Sequence, residues 1–237
     1  MEEESKIHAE ESIPQPESVS KLRLMYTLAN CIRTLPIYFF IKTTPHRDLI
    51  EKDFARWWKV CRGMMDPFSA KRYFTALNWI LLYKPEYRNL LQHRFRKPPR
   101  TIASLMHYFI CRILWRPMDS FELSCDDIGG GFFIQHGYST HICAKRIGEN
   151  CWVNQLVAIG FNGLGYPTLE DNVTVCCRAS IFGDLTVQEN SIVGAHSLVM
   201  KDVPKNAIVA GAPAKVLRIR SEEEVERAKE MGVPIGL

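Results

Sequence analysis

The chain has 237 residues and a formal net charge of +4, with 46% hydrophobic and 24% charged residues. This composition is typical of a globular protein, and it excludes a wholly disordered chain and a collagen-like repeat. The charge is unevenly distributed, because residues 1–20 carry −5, residues 21–120 carry +13 and residues 121–237 carry −4. Such segregation indicates three parts with different surroundings.

The first part, residues 1–20, is rich in Glu, Ser and Pro and is predicted to be a disordered acidic tail. The most apolar run follows at Leu22–Ile41, where Arg23, Arg33 and Pro36 interrupt the hydrophobic residues. A central arginine costs about 2.5–3.5 kcal/mol in a membrane-spanning helix. We therefore interpret this run as a buried or interfacial helix.

Residues 21–120 are predicted to form a helical domain. Aromatic residues recur three and four positions apart in 53–58 and 73–82, which gives each segment one apolar face, and prolines fall between such segments. No nucleic-acid-binding pattern accompanies the positive charge, so no nucleic-acid partner is expected.

The eight cysteines include no Cys-x-x-Cys pair and the chain starts with acidic residues, unlike a secretory leader. Free thiols and a cytoplasmic location are therefore expected.

From Phe121 onward the apolar residues recur every six positions. The series is Ile128 and Ile134, then Ile147, Val153 and Ile159, then Leu169, Val175, Ile181, Val187, Val193 and Val199. A helix has a period of 3.6 and a strand a period of 2, so neither produces this pattern. The spacing predicts a solenoid of short strands, with three segments and 18 residues to each coil.

Two phrases accompany the repeat, Ile134–Gly137 and the closing Val209–Val216. Together they resemble the hexapeptide-repeat acyltransferases, and among these the serine acetyltransferases. The phrase Pro85–Asn89 is also similar to bacterial polysaccharide-modifying acetyltransferases. The resemblance implies an α-helical N-terminal domain followed by a left-handed parallel β-helix over residues 121–220. It further implies acetyl-CoA as co-substrate and assembly as a homotrimer or a dimer of trimers.

The resemblance assigns His136 as the catalytic general base. An O-acetyltransferase must take a proton from a weakly acidic hydroxyl, and histidine suits this role at neutral pH. The acid that orients this histidine in the family corresponds to Glu122 if one residue is deleted before Ile128, with Asp126 and Asp127 as competitors. A second histidine, His141, has no third ligand at a suitable spacing, so no metal site is expected.

The loop that interrupts the repeat and the end of the solenoid are expected to bind acetyl-CoA. In the family this loop supplies backbone hydrogen bonds, which assigns Gly160 and Asn162. Cys177 and Ala195 lie 18 residues apart and correspond to positions whose backbone lines the pantetheine groove. A basic cluster suits the phosphates, and its members are Lys201, Lys215, Arg218 and Arg220.

Two departures from the serine enzymes bear on the acceptor. Gln135 precedes the histidine where those enzymes have Asp, and Gly165 and Tyr166 replace their Arg and His. An amino-acid acceptor thereby loses one partner for its ammonium and one for its carboxylate. A saccharide hydroxyl near Gln135 and Tyr166 is therefore the expected acceptor, with L-serine as the alternative.

Other classes of function also fit the sequence. A non-catalytic trimeric scaffold is favoured by the missing loop histidine and disfavoured by the intact His136 motif, and an N-acyltransferase acting on an amino sugar needs the same base.

The charge of residues 21–120 predicts peripheral contact with the inner membrane face, unless the acidic tail and a neighbouring solenoid neutralise it. Residues 221–237 are predicted to hold a C-terminal helix, since Ser221 and three glutamates suit its start.

Overall fold

A computed structural model describes residues 17–65, 69–98 and 101–231. The predicted acidic tail lies outside the described residues up to position 16. The helices are α1 (Glu17–Thr43), α2 (Arg47–Cys61), α3 (Tyr73–Tyr83), α4 (Pro85–Arg96), α5 (Ile102–Leu114) and α6 (Glu222–Met231), with 3₁₀ turns at Arg62–Met64 and Ser69–Lys71. Within the described part of the chain, no helix is both long and apolar enough to cross a membrane.

The N-terminal helices differ in how they are buried. In α3 all residues of 75–81 are buried, so the single apolar face predicted for 73–82 is wrong: this helix is enclosed on all sides. In α2 the buried positions Ile50, Phe54, Trp57 and Cys61 follow the spacing of one helix face. Pro85 occupies the first turn of α4, where its missing N–H costs nothing. A capping box begins α5, in which the side chains of Thr101 and Ser104 each accept a hydrogen bond from the backbone N–H of the other residue.

In the described residues fourteen strands form three sheets, in which every pairing but one is parallel. Sheet A contains β1 (Phe121–Ser124), β3 (Thr140–Cys143), β6 (Ala158–Gly160), β9 (Ser180–Phe182) and β12 (Leu198–Val199). Sheet B contains β4 (Arg146–Ile147), β7 (Thr168–Leu169) and β10 (Thr186–Val187). Sheet C contains β2 (Phe133–Gln135), β5 (Trp152–Asn154), β8 (Thr174–Val175), β11 (Ile192–Val193), β13 (Ala207–Ala210) and β14 (Lys215–Ile219), of which the last pair is antiparallel.

Each coil of the solenoid visits sheets B, C and A in turn, as the six-residue spacing predicts. Residues of successive coils stand in register, so that Val153 pairs with Ile134 on one side and Val175 on the other. Every repeat position named from the sequence is at most 2% exposed. The interior is therefore made of three columns of aliphatic side chains, and the predicted fold class is confirmed.

The corner between sheets B and C is built from asparagines. Asn150, Asn172, Asn190 and Asn206 all have φ between 57° and 60°, a conformation that asparagine tolerates better than most residues. Their side chains form a ladder, in which Asn172 donates to Asn190 and Asn190 donates to Asn206, each at 3.0 Å. This ladder closes the same corner on successive coils.

A buried ion pair joins the helical half to the first coil. Arg94 of α4 donates to Asp53 of α2 at 2.8 and 3.2 Å, and to the carbonyls of Ile128 and Gly129 at 2.6 Å each. The Trp57 indole N–H also donates to the carbonyl of Phe132 in the first coil at 2.9 Å. The two halves are thus connected by buried hydrogen bonds as well as by apolar packing.

The C-terminal helix begins where the sequence predicts. Ser221 and Glu224 form a reciprocal cap, with N–H to side-chain distances of 2.9 and 3.2 Å. Cys176 points away from the solenoid core and packs with Ile192 and Ile208 in a separate small cluster. All eight cysteines are free thiols.

Candidate active site

His136 lies at the corner between sheets C and A of the first coil, directly after β2. On the next three coils this corner has one residue with positive φ, namely Leu156, Arg178 or His196. Ser139, with φ of 47°, is their counterpart in the first coil, because Leu156 N–H donates to the carbonyl of Tyr138, the residue before it.

The first-coil corner is two residues longer than the others. Ile134 and Ile142 pair with Val153 and Ile159, yet the first two are eight positions apart and the second two are six. The additional length includes His136, whose φ is 56° and whose side chain is exposed. A bulged corner with an accessible imidazole is a position from which a general base can reach a bound substrate.

The residues predicted to line the pantetheine groove lie on the same edge as His136. Cys177 and Ala195 immediately precede the positive-φ residues of their coils, and the His196 N–H donates to the Cys177 carbonyl at 3.0 Å. Ala195 is exposed and Cys177 is partly so. One edge of the solenoid therefore carries the candidate base and both candidate groove residues.

Glu122 has a different partner from the one expected. It stands opposite His141 in the pairing of β1 with β3, and its Oε2 lies 3.3 Å from His141 Nδ1. Both side chains are exposed, at 60% and 62%, so the pair contributes little to stability. The structure places no hydrogen bond between Glu122 and His136 among those of the described residues.

A carboxylate that the sequence reasoning missed lies beneath the His136 corner. Glu86, near the start of α4, is 5% exposed, and its Oε1 accepts a hydrogen bond from Gly137 N–H at 3.3 Å. Its Oε2 is buried with no hydrogen-bond partner among the described residues. Glu86 belongs to the phrase Pro85–Asn89, but its spacing of 50 residues from His136 gave no signal of proximity.

The interrupting loop lies at the corner between sheets A and B, a different edge from that of His136. Gly160 ends β6 and is buried, and its carbonyl accepts from Gly183 N–H at 3.1 Å. Asn162 is exposed and folds the loop by accepting from Leu164 N–H at 3.1 Å. Tyr166 is 46% exposed and its ring centre lies 5.2 Å from that of Phe161.

The predicted basic cluster is divided in the structure. Lys201 and Lys215 line one cavity of about 240 Å³ at the C-terminal end of the solenoid. Arg218 instead pairs with Glu224 at 2.8 Å, and this pairing lowers the pKa of Glu224 to about 2. Arg220 is 6% exposed and donates to the Asn190 carbonyl. Lys201 and Lys215 are therefore separated from Arg220, which lines a different cavity. Gln135 lies elsewhere, beside His136.

In the described residues no group of three or more His, Cys, Asp or Glu side chains lies close enough together to hold a metal ion. The chemistry available at the site is that of an imidazole, carboxylates, lysines and exposed backbone groups.

Comparisons with known proteins bear on this arrangement. A serine acetyltransferase of Synechococcus elongatus is 37% identical over 95 residues, which cover 38% of this chain and 39% of that protein. A structure of the Neisseria gonorrhoeae serine acetyltransferase in complex with serine superposes with a TM-score of 0.52 and 20% identity, covering 77% of this chain and 73% of that one. A Brucella abortus serine acetyltransferase in complex with Coenzyme A gives a TM-score of 0.50 and 18% identity, covering 79% and 74%. No protein-family model matches the chain.

The fold and these comparisons define a hexapeptide-repeat β-solenoid protein. Its sequence relatives and structural neighbours are serine acetyltransferases, so the resemblance inferred from the sequence is confirmed. The chain spans less than half the length of the serine acetyltransferases of Synechococcus elongatus and Bacillus pumilus that it matches. The additional likeness to polysaccharide-modifying enzymes stays a prediction.

Proposed function

We propose that the protein is an acetyl-CoA-dependent O-acetyltransferase with His136 as its general base. The observation that carries the proposal is the bulged corner, which exposes His136 on the same edge as Cys177 and Ala195. The relationship to serine acetyltransferases supports the reaction class. The cavity bearing Lys201 and Lys215 supports binding of an anionic co-substrate such as CoA.

In the proposed reaction His136 accepts the proton of the acceptor hydroxyl as that oxygen attacks the thioester carbonyl. The tetrahedral intermediate collapses with cleavage of the carbon–sulfur bond, and the imidazolium returns the proton to the departing thiolate. The products are the acetyl ester and free CoA. Because general-base catalysis contributes about 10²–10⁴-fold, His136→Ala should lose that factor in turnover and keep its affinity for acetyl-CoA.

We propose L-serine as the acceptor, ahead of the saccharide that Gln135 and Tyr166 first indicated. The support is the agreement of sequence relatives with structural neighbours, one of which was solved with serine. The decisive experiment measures release of the CoA thiol with L-serine, simple sugars and lipid-linked sugars. Turnover with L-serine and not with sugars supports the proposal, whereas turnover only with sugars restores the saccharide as acceptor. No turnover with any acceptor favours the non-catalytic trimeric scaffold.

We further propose a homotrimer, alone or paired as a dimer of trimers. The interrupting loop and His136 lie at different edges of one solenoid, so a neighbouring copy is needed to bring Asn162 or Tyr166 of that loop to the histidine. Light scattering at micromolar concentration tests this, and a stable monomer would exclude a shared site.

Peripheral membrane contact is the second candidate property, and it rests on an apolar face of the helical half. Large apolar side chains of the contacting helices α1 and α5 are exposed, namely Met25, Leu28, Ile32, Leu35, Phe39, Ile102, Met106, Phe109 and Ile113. With the +13 charge of residues 21–120, this face suits an anionic membrane. Sedimentation with anionic and with neutral vesicles tests the contact, which should require anionic lipid and weaken with salt.

A further inference from the structure

A cavity of about 100 Å³ lies between the helical half and the first coil, next to the candidate base. Its polar lining comes from Lys84, Glu86, Gln135 and His136, and its apolar lining includes Trp57 and Phe133. A single water molecule needs only about 10–15 Å³ of such space. The cavity is therefore large enough for a small ligand and is bounded on one side by His136.

The carboxylate of Glu86 is held at this cavity by the backbone. The bond from Gly137 N–H fixes one oxygen, and a Cβ on Gly137 would lie 3.1 Å from Glu86 Cγ. The other oxygen has no partner in the described part of the chain. Leaving a buried carboxylate oxygen unpaired is costly, and such a group in a native structure indicates an unfilled role. Because Glu86 lines the cavity, a ligand bound there would supply the missing partner of this carboxylate.

A cation lines the same cavity. Lys84, the residue between α3 and α4, is partly buried, and its Nζ lies 5.9 Å from the centre of the Trp79 ring. Among the ion pairs of the described residues, none involves Lys84 or Glu86. One positive and one negative side chain, neither neutralised by an ion pair, therefore border a cavity that also reaches the general base.

We propose that this cavity is the acceptor subsite, in which Glu86 binds the ammonium and Lys84 the carboxylate of a small α-amino acid. The proposal rests on acetyl transfer at His136 and names the residues that recognise its acceptor. It resolves the objection raised by Gln135 and Gly165, because the charges missing from the solenoid come from the helical half. His136 lines the same cavity, so its imidazole is available to the hydroxyl of the bound amino acid.

Substitutions that remove the charge of each side chain test the proposal. Glu86→Gln retains an oxygen for Gly137 N–H, and Lys84→Gln shortens the side chain and removes its charge. Each should raise the KM for L-serine about 10–100-fold, the usual effect of losing a hydrogen bond to a charged group, with the KM for acetyl-CoA unchanged. The matched controls are Lys52→Gln and Glu149→Gln, which remove the two members of an exposed ion pair and should change neither KM.

Acceptor analogues separate the two contacts. L-Glycerate lacks the ammonium and L-serinamide lacks the carboxylate, so wild-type protein should use both poorly. Glu86→Gln should discriminate less between L-serine and L-glycerate, and Lys84→Gln less between L-serine and L-serinamide. Equal use of L-serine and L-glycerate by the wild type would overturn the proposal, as would an unchanged KM for L-serine in Glu86→Gln.

Binding without turnover distinguishes failure of this proposal from failure of the proposed function. Equilibrium dialysis with radiolabelled L-serine measures the subsite directly. Loss of serine binding in Glu86→Gln, with circular dichroism unchanged, supports the subsite even if no CoA is released. Wild-type protein that releases CoA with a sugar and does not bind L-serine would overturn the subsite and leave the acetyltransferase intact.

Discussion

Replacing Arg94 by methionine should destabilise the protein more than any surface change at the same joint. The Arg94 and Asp53 side chains are 0% and 2% exposed. Arg94→Met leaves the Asp53 carboxylate buried without its counter-charge, and it leaves the carbonyls of Ile128 and Gly129 without their donors. Breaking a buried ion pair by removing one partner costs about 3–5 kcal/mol. We expect a loss of that size in the free energy of unfolding.

The exposed pair Lys52–Glu149 provides the control, since it also connects α2 to the solenoid, at 2.6 Å. Its side chains are 54% and 47% exposed, so solvent screens the pair and Lys52→Met should cost far less than Arg94→Met. Urea titrations followed by circular dichroism and tryptophan fluorescence give both values.

A double-mutant cycle identifies the source of the loss. Asp53→Asn removes the uncompensated charge, so Asp53→Asn with Arg94→Met should be less destabilised than the sum of the single variants, with a coupling above about 1 kcal/mol. The Asp53 side chain would still accept from Gly131 and Phe132 N–H through its amide oxygen. A loss below 1 kcal/mol for Arg94→Met, or strict additivity, would refute the reasoning.

Three further predictions address pH, backbone and co-substrate. Burial, and next the charge of Arg94, lower the pKa of His93 to about 4. As the pH falls from 6.5 to 4, the unfolded chain therefore takes up a proton that the folded protein does not, and the free energy of unfolding should fall by up to about 3 kcal/mol. His93→Gln should flatten this pH dependence in urea titrations. Gly131→Ala should cost at least about 1–3 kcal/mol, because φ is +79° and its Cβ would lie 2.4 Å from Asn150 Oδ1; equal midpoints would contradict this. Lys215→Ala should weaken CoA binding about 3–10-fold by calorimetry, and unchanged affinity would place the phosphates elsewhere.

The solenoid was predictable because its determinants are local and repeated. Each six-residue unit places one aliphatic residue inward, and one register error would disrupt every later coil, so positions such as Val175 and Val193 carry the signal without knowledge of the rest of the chain. The corner position of His136 was predictable for a related reason, since it follows the inward Ile134 by two positions. Its role as general base came from the family resemblance and stays a prediction. The two-residue extension of its corner is visible in the sequence only as a departure from the sixes.

The partners of these residues were not predictable in the same way. Glu122 meets His141 because β1 pairs with β3 in a register that the distance along the chain does not reveal. Arg218 meets Glu224 because α6 turns back beside β14, which removes it from the basic cluster. Such contacts depend on how whole elements pack, whereas the repeat depends on single positions.

Glu86 shows most clearly why the missing information lies between the two halves. A solenoid corner exposes backbone and one or two side chains per coil, so by itself it offers few converging charges to a small acceptor. Packing of α4 against the first coil brings Glu86 under Gly137 and Lys84 beside it, and the same helix contributes Arg94 to the buried joint. The residues that fasten the helical half to the solenoid and those proposed to recognise the acceptor therefore share one helix and its N-terminal junction. A change of acceptor within this architecture would accordingly be expected at the α3–α4 junction, with the repeat left unaltered.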